Sequence, residues 1–365
     1  MPIEAESPEE MGYSTIRYNL AESSVRDIYF KDLGINLDAL FICYGEHWGK
    51  KELRQEIVRA EMSLSEDDVL VCPSAATALF IISTTLLSSN DHLVVLRPNY
   101  ATNIETPRAI GCESTFIDLK FENGFQFDLQ QIKNAVRPNT KLISLTSPHN
   151  PTGIVFKDEL IKEIIALAEE KNIHVLVDET YRYLNFQSEL LPYYAAVSDK
   201  VISVCSLSKA FGVPGIRVGW LINKNKKLLP DLLAAKEQII ICNSVVDEEI
   251  ALHILKRQQQ FLEPSHQQIS QNFSILKKWM NEQTYLEWVE PTAGVVCFPR
   301  IKKEYFINLD RFYKTLYETH QTIVGPGHWF EQDDRYMRIG FGYPLQEELL
   351  QGLDNLSASI NSALI

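Results

Sequence analysis

The sequence predicts an α/β protein, a mostly parallel sheet flanked by helices with a smaller α+β domain behind it. Three observations carry that expectation. From about residue 68 to 225, short apolar runs alternate with segments of helical periodicity, the mark of successive strand–helix–strand units. Turn-forming residues follow several of the runs, as in Pro73-Ser, Pro98-Asn and Ser147-Pro-His-Asn-Pro-Thr-Gly153. Beyond about residue 228 the rhythm gives way to long helical stretches and two isolated strand-like runs.

Taken in order, residues 69–71, 93–96, 114–117, 142–145, 174–177, 201–204 and 218–222 read as strands. The clearest helix is 158–171, where Leu160, Ile161, Ile164, Ile165 and Ala168 fall on one face. Residues 228–241 and 248–281 read as long helices, the second bent or broken near Pro264, which lacks the N–H an internal turn needs. Residues 294–298 and 336–341 complete the smaller domain as strands. The first 40 residues lack this rhythm and are expected to pack on the small domain or cover its cleft. The expected division is 1–43, 44–260 and 261–365. In open sheets of this class, ligands bind at the carboxyl ends of the strands.

The bulk properties narrow the function. The 365 residues suit two domains at roughly 150 residues each. A formal net charge of −13 disfavours nucleic acid and anionic membrane as partners, because both need a basic face. No basic helix-turn-helix precedes residue 18. The six cysteines form no Cys-x-x-Cys pair and several lie in apolar runs, so they read as free thiols in a reducing compartment. The acidic N-terminus has no secretion signal, and no apolar run approaches the ~20 residues of a membrane span. The expected location is the cytoplasm. The eight histidines show no metal-ligand spacing.

The chemistry concentrates at the strand ends. Lys209 lies in Ser206-Leu-Ser-Lys-Ala-Phe-Gly-Val-Pro-Gly-Ile-Arg217, where hydroxyls precede it and a Gly/Pro-rich turn follows. A lysine in a desolvated turn can lose its proton and attack an aldehyde, the chemistry of a Schiff base with pyridoxal phosphate. That cofactor also needs an anion at its ring nitrogen, a hydrogen bond to its ring hydroxyl, a phosphate cup and a stacking face. Asp178, ending its strand, suits the nitrogen, and Tyr181, three residues on, suits the hydroxyl. Asn150 sits in a loop stiffened by two prolines. Ser206, Ser208 and Arg217 suit a phosphate. Ala75 and Ala76 open a helix whose N–H groups point at an anion. Tyr100 follows the next strand and suits stacking.

With Tyr44-x4-Gly49-x3-Leu53-Arg54, Asn150-Pro-Thr-Gly153, Asp178-x-x-Tyr181, the Ser206–Gly219 stretch and Met337-Arg-Ile-Gly-Phe341, the chain resembles the fold-type I pyridoxal phosphate enzymes, specifically the class I/II aminotransferases. The resemblance runs from Tyr44 to Arg338 and implies an aspartate-aminotransferase-like fold. It implies Lys209 as the Schiff-base lysine, Arg217 on the phosphate and Arg338 on the substrate α-carboxylate. It implies a homodimer in which Tyr44 reaches the partner subunit's phosphate. Three positions depart from the family pattern. Ser74 stands where a glycine is usual, Ala76 where a hydroxyl residue is usual, and Ala293-Gly294 where two glycines are usual.

The resemblance implies a reaction on an L-α-amino acid, with Lys209 taking the α-proton, a role that calls for a depressed pKa. Transamination is the leading expectation. The alternative is β- or γ-elimination, replacement or cyclisation. The segment Tyr18-Asn-Leu-Ala-Glu-Ser-Ser24 and the Asn150 loop resemble a subgroup that includes capreomycidine synthase, which cyclises a hydroxylated arginine. Glu22 would then face a guanidinium. His149 and His328 are further candidates for the cleft.

Overall fold

The computed structural model describes residues 6–184, 190 and 192–365. The chain enters through α1 (Pro8–Met11), a two-residue strand, β1 (Tyr18–Asn19), and α2 (Lys51–Ile57). Seven strands then build the central sheet: β2 (Val69–Cys72), β3 (His92–Arg97), β4 (Glu113–Asp118), β5 (Thr140–Thr146), β6 (His174–Asp178), β7 (Val201–Ser206) and β8 (Gly219–Ile222). Their order across the sheet is β2-β8-β7-β6-β5-β3-β4. The pairings from β4 to β7 are parallel, and β8 runs antiparallel to both its neighbours. The α/β expectation therefore holds, with one reversed strand making the sheet mixed.

Between the strands run α3 (Ala75–Leu86), α4 (Thr102–Ile110), α5 (Leu129–Ala135) and α6 (Asp158–Lys171), and α7 (Leu229–Glu237) follows the sheet. Adjacent strand residues feed opposite cores, as the two-residue period of a strand requires. Leu93, Leu176 and Ile202 pack with Ile81 and Leu232, whereas Val94, Val175 and Val201 pack with Ile132 and Ile164. Burial on both faces explains why the strands read as nearly unbroken apolar runs. Each such side chain contributes about 1.5–3 kcal/mol by leaving water. Helix α6 has the expected bounds and ends on Asn172 in the left-handed conformation that closes many helices.

The later helices differ from expectation. Helix α7 stops at Glu237, and Ile239 and Ile241, which extended the apolar pattern, lie exposed beyond its end. The long helical stretch is two helices, α8 (Val245–Lys256) and α9 (Gln258–Asn281), broken at Arg257 while Pro264 lies inside α9. The break falls where the chain leaves α8, packed on α2, for α9, packed against the C-terminal helix α11 (Gln346–Ser362). Tertiary packing set the position of the break, and Pro264 did not.

The smaller domain contains β9 (Leu286–Glu287), β10 (Val296–Cys297), β11 (Arg300–Ile301), α10 (Leu309–Lys314), β12 (Thr322–Ile323), β13 (Gly325–Pro326) and β14 (Met337–Gly340). The three strands β10-β14-β13 form its largest sheet. The N-terminal segment joins it, because β1 pairs in parallel with β12. Beyond β1 this segment becomes a strap between the two domains. Leu20 N donates to Ile323 O at 2.9 Å, and Gly340 N donates to Leu20 O at 2.7 Å. Val25 N then donates to Lys209 O at 2.9 Å, and Ile28 N donates to Gly212 O at 3.0 Å. Among the described residues, no helix is long and apolar enough to cross a membrane.

Candidate active site

Strand β7 ends at Ser206, and the turn after it carries Lys209 to the strap. Lys209 Nζ donates to Ser23 Oγ at 3.2 Å and lies 3.7 Å from Glu22 Oε1. Burial, the largest single influence, pushes the lysine toward its neutral form, and Arg338 pushes the same way, but Glu22, Tyr181 and Tyr100 together outweigh them. The amine is therefore held above its ordinary pKa, whereas the sequence-based role of general base calls for a lower one. The strap supplies the difference, and no motif around Lys209 announces it. Glu22 itself resists ionisation through burial. Lys209, the Ser23 N–H, Arg338 and the Ser24 hydroxyl more than compensate, and its carboxyl lies below the usual range.

Asp178 closes β6 and is buried. Its Oδ1 accepts from Thr180 N at 3.1 Å and from Thr180 Oγ1 at 2.6 Å. Burial raises its pKa, against hydrogen bonds from Thr180 and Asn103. Those named neighbours are neutral, so nothing among them repays the desolvation of the charge. Asn103 belongs to a buried polar chain that the sequence did not reveal. Asn99 Oδ1 accepts from Tyr100 N at 2.8 Å, Thr146 Oγ1 at 3.0 Å and Asn103 Nδ2 at 3.2 Å. One signal was available, because Asn103 lies three residues after Tyr100 at a helix start and so shares its face.

These features fit pyridoxal phosphate. The Tyr181 hydroxyl is buried and has no hydrogen-bond partner among the described residues. Asp178 is a buried carboxylate suited to a protonated ring nitrogen. Ser74 caps α3 by accepting from Thr77 N at 3.0 Å, and the Ala75 and Ala76 N–H groups begin the helix, an anion-binding arrangement. Gly219, opening β8, passes so close that a Cβ there would lie 2.6 Å from Ala75 N. Only glycine leaves that approach open. Ser206, paired with Gly219 across the sheet, and Ser208 are buried. Arg217 is exposed, holds a left-handed φ of 46°, and donates to Pro214 O at 2.9 Å.

Arg338 comes from β14 and faces the large domain. Its Nη1 donates to Asn150 Oδ1 at 3.1 Å and its Nη2 to Ala21 O at 2.8 Å. Its guanidinium lies over the Phe330 ring at 5.1 Å and the Trp329 ring at 6.0 Å. The structure thus joins Arg338, Asn150 and the strap, three segments far apart in sequence. His149, in the Asn150 loop, is buried and shares a hydrogen bond of 2.8 Å with Thr152 Oγ1. Burial drives its pKa down to about 3, so it is a neutral scaffold. His328 lies outside this cluster. Its ring nitrogens meet Asp334 Oδ1 at 2.8 Å and Glu6 Oε2 at 2.7 Å. Tyr44 is 84% exposed and follows exposed Phe41 and Ile42. Asp27 of the strap, also missed from sequence, faces Glu22 and Lys209. Burial and Glu22 raise its pKa.

Comparison with known proteins agrees with this geometry. The family described as aminotransferase class I and II matches residues 41–355. An aspartate aminotransferase of Sulfurisphaera tokodaii is 27% identical over 348 residues, covering 89% of this chain and 84% of its own. Capreomycidine synthase of Streptomyces vinaceus is 26% identical over 327 residues, covering 89% and 83%. Among solved structures, a PLP-dependent aminotransferase from Streptococcus suis superposes with a TM-score of 0.90 at 28% identity, covering 98% of this chain and 97% of that one. The PLP-dependent cyclase OrfR has the same fold, with a TM-score of 0.87 at 24% identity, covering 99% of each chain.

Proposed function

The chain belongs to the class I and II aminotransferases, which use pyridoxal phosphate and act on small amino acids, and we propose that it transfers the amino group of an L-α-amino acid with Lys209 as the working amine. The observation that carries this reading is the convergence of Tyr181, Tyr100 and Arg338 on the Lys209 amine, with Asp178 ending the strand that precedes Tyr181. When bound, the cofactor supplies an aldehyde for a Schiff base and a protonated ring that draws electrons from the α-carbon. Asp178 would hold the ring nitrogen's proton, and Tyr181 would donate to the ring hydroxyl. Tyr100 would face the ring, while Ala75, Ala76, Ser206, Ser208 and Arg217 would hold the phosphate. Arg338, steadied by Asn150, grips the substrate carboxylate and so orients the α-proton toward Lys209 Nζ, which removes it.

The active form in this reading is a cytoplasmic homodimer. The exposed stretch of Phe41, Ile42 and Tyr44 supports it, since apolar side chains in a row call for a partner surface. Tyr44 then serves the phosphate of the other subunit. Sedimentation of the wild-type chain and of Tyr44→Ala tests this, with weaker dimers and weaker cofactor retention expected in the variant.

A second reading has one observation in its favour. Glu22 stands in the cleft beside Lys209, and Asp27 lies near it. Two acids at the mouth suit a hydroxylated guanidino amino acid, whose leaving hydroxyl would make the reaction an elimination or cyclisation. One experiment separates the two. Holoenzyme receives single amino acids, hydroxyarginines included, and products are weighed by mass spectrometry. A keto acid with the amino group left on the cofactor supports transfer. Loss of water with the amino group retained supports cyclisation and overturns transfer.

A further inference from the structure

Glu22 reaches Lys209 by a path that the structure fixes on every side. Asn19 Oδ1 accepts from Ala21 N and from Glu22 N, each at 3.1 Å. Arg338 Nη2 holds Ala21 O at 2.8 Å, and Val25 N is bonded to Lys209 O at 2.9 Å. Gly340 lets the strap pass, because a Cβ there would lie 1.9 Å from Glu22 O. The side chain is fixed as well. Its Oε1 accepts from Ser23 N at 2.9 Å and from Ser24 Oγ at 3.2 Å, and lies 3.7 Å from Lys209 Nζ. The next residue, Ser23, gives its hydroxyl oxygen to the same amine at 3.2 Å.

We propose that Glu22 is a positioning residue that acts through Lys209, with the strap bringing its carboxylate to the amine to set when that amine gives up its proton. The proposal rests on the reading of Lys209 as the working amine of this site. It assigns Glu22 a task other than gripping a substrate side chain.

The other groups that influence Lys209 come from several elements. Tyr181 follows β6, Tyr100 precedes α4, Arg338 lies on β14, and Asp27 belongs to the strap. Of these, Arg338 opposes the ammonium, and the two tyrosines favour it less than Glu22 does. Glu22 is the carboxylate in ion-pair contact with the amine among the described residues. A carboxylate at this range stabilises the ammonium. It therefore favours the charged form of Lys209 whenever the amine is free, and makes that amine a stronger base once its proton has been passed on. The cost is that the free amine is scarce until binding rearranges the pair.

The test reads the lysine directly. Cofactor-free full-length chain is trace-labelled with acetic anhydride over a range of pH, and the peptide carrying Lys209 is quantified by mass spectrometry. In Glu22→Gln the labelling curve should move to lower pH, so that Lys209 is about tenfold more reactive below the wild-type midpoint. Glu22→Asp should restore part of the shift, and Asp27→Asn should move the curve much less. Coincident curves for Glu22→Gln and wild type overturn the proposal. If Glu22→Gln does not fold by circular dichroism, Glu22→Asp decides, with an intermediate shift expected and coincidence overturning it. Borohydride trapping of pyridoxal phosphate on the same wild-type preparation tests the underlying reading. Wild type that fails to trap the cofactor sinks the cofactor assignment, whereas normal trapping with coincident curves sinks only the role of Glu22.

Discussion

The proposed site has two carboxylates, Asp178 at its floor and Glu22 at its mouth, and their surroundings differ in kind. Asp178 ends a central strand and is bonded by a hydroxyl, a backbone N–H and an amide, all neutral, and burial raises its pKa. Glu22 rides on a strap between domains, faces Lys209 and Arg338, and is held below the usual carboxylate range despite burial. A buried charge with neutral neighbours is an unpaid debt in the protein alone, and a bound cation settles it. In the proposed reading, a ligand with a protonated ring nitrogen completes the floor. The mouth is already complete, and its charges regulate the lysine between them.

The largest effect expected is at the group that both regions address. Lys209→Ala should abolish the borohydride-reducible adduct and reduce turnover by about 100- to 10,000-fold from loss of the base alone. Retention of the adduct would break the comparison at its centre. Asp178→Asn comes next, because it keeps the shape of the floor and removes its charge. Loss of one partner from a buried pair costs about 3–5 kcal/mol. Turnover should fall by roughly 100- to 1,000-fold. Cofactor absorbance should report an unprotonated ring. An unchanged spectrum would mean that Asp178 is only a turn-forming acid.

Gly219→Ala tests whether the floor is as rigid as its packing implies. A methyl group at that position meets Ala75 N at 2.6 Å and Ser74 C at 2.6 Å, both backbone atoms. Overpacking of this kind costs about 1–3 kcal/mol. We expect weaker cofactor retention with the lower melting temperature, measured by dialysis and by calorimetry. Retention equal to wild type would show that the helix start can yield.

The floor was legible in the sequence because its residues lie in short stretches beside strand ends. Asp178 and Tyr181 share four residues of chain, as do Ser206 and Lys209, and the apolar run before each pair announces the strand. The mouth was not legible in the same way. Glu22, Asn150 and Arg338 meet only because β1 pairs with β12 and the strap crosses to Lys209, and no local pattern encodes that crossing. Side-chain direction was equally hidden. Nothing in the stretch around Lys209 announces the bond that Arg217, proposed for the phosphate, makes to Pro214 O. The break at Arg257 was likewise a matter of packing, while the visible signal, Pro264, lay elsewhere.

The smallest effects compare the two carboxylates directly through the stability of the cofactor-free protein. Asp178 has a folded pKa above its ordinary 3.8. As pH rises above the unfolded value, the folded state keeps a proton that the unfolded state has lost, so this group removes stability toward neutrality. Asp178→Asn lacks that penalty and should melt higher than wild type at pH 7, by about 1 kcal/mol, with the gap closing as pH falls toward 4. Glu22 has a folded pKa below its ordinary 4.5. It adds stability above 4.5 that is lost as pH falls through the folded value. Glu22→Gln should therefore melt lower than wild type at pH 7, again by about 1 kcal/mol because Lys209 keeps some solvent contact, and should converge with it in acid. Thermal melts of the three proteins from pH 4 to 8 give both signs in one series. Opposite signs at neutrality are the expected outcome. Two destabilised variants would mean that Asp178 is paired within the protein itself and that the contrast between floor and mouth is wrong.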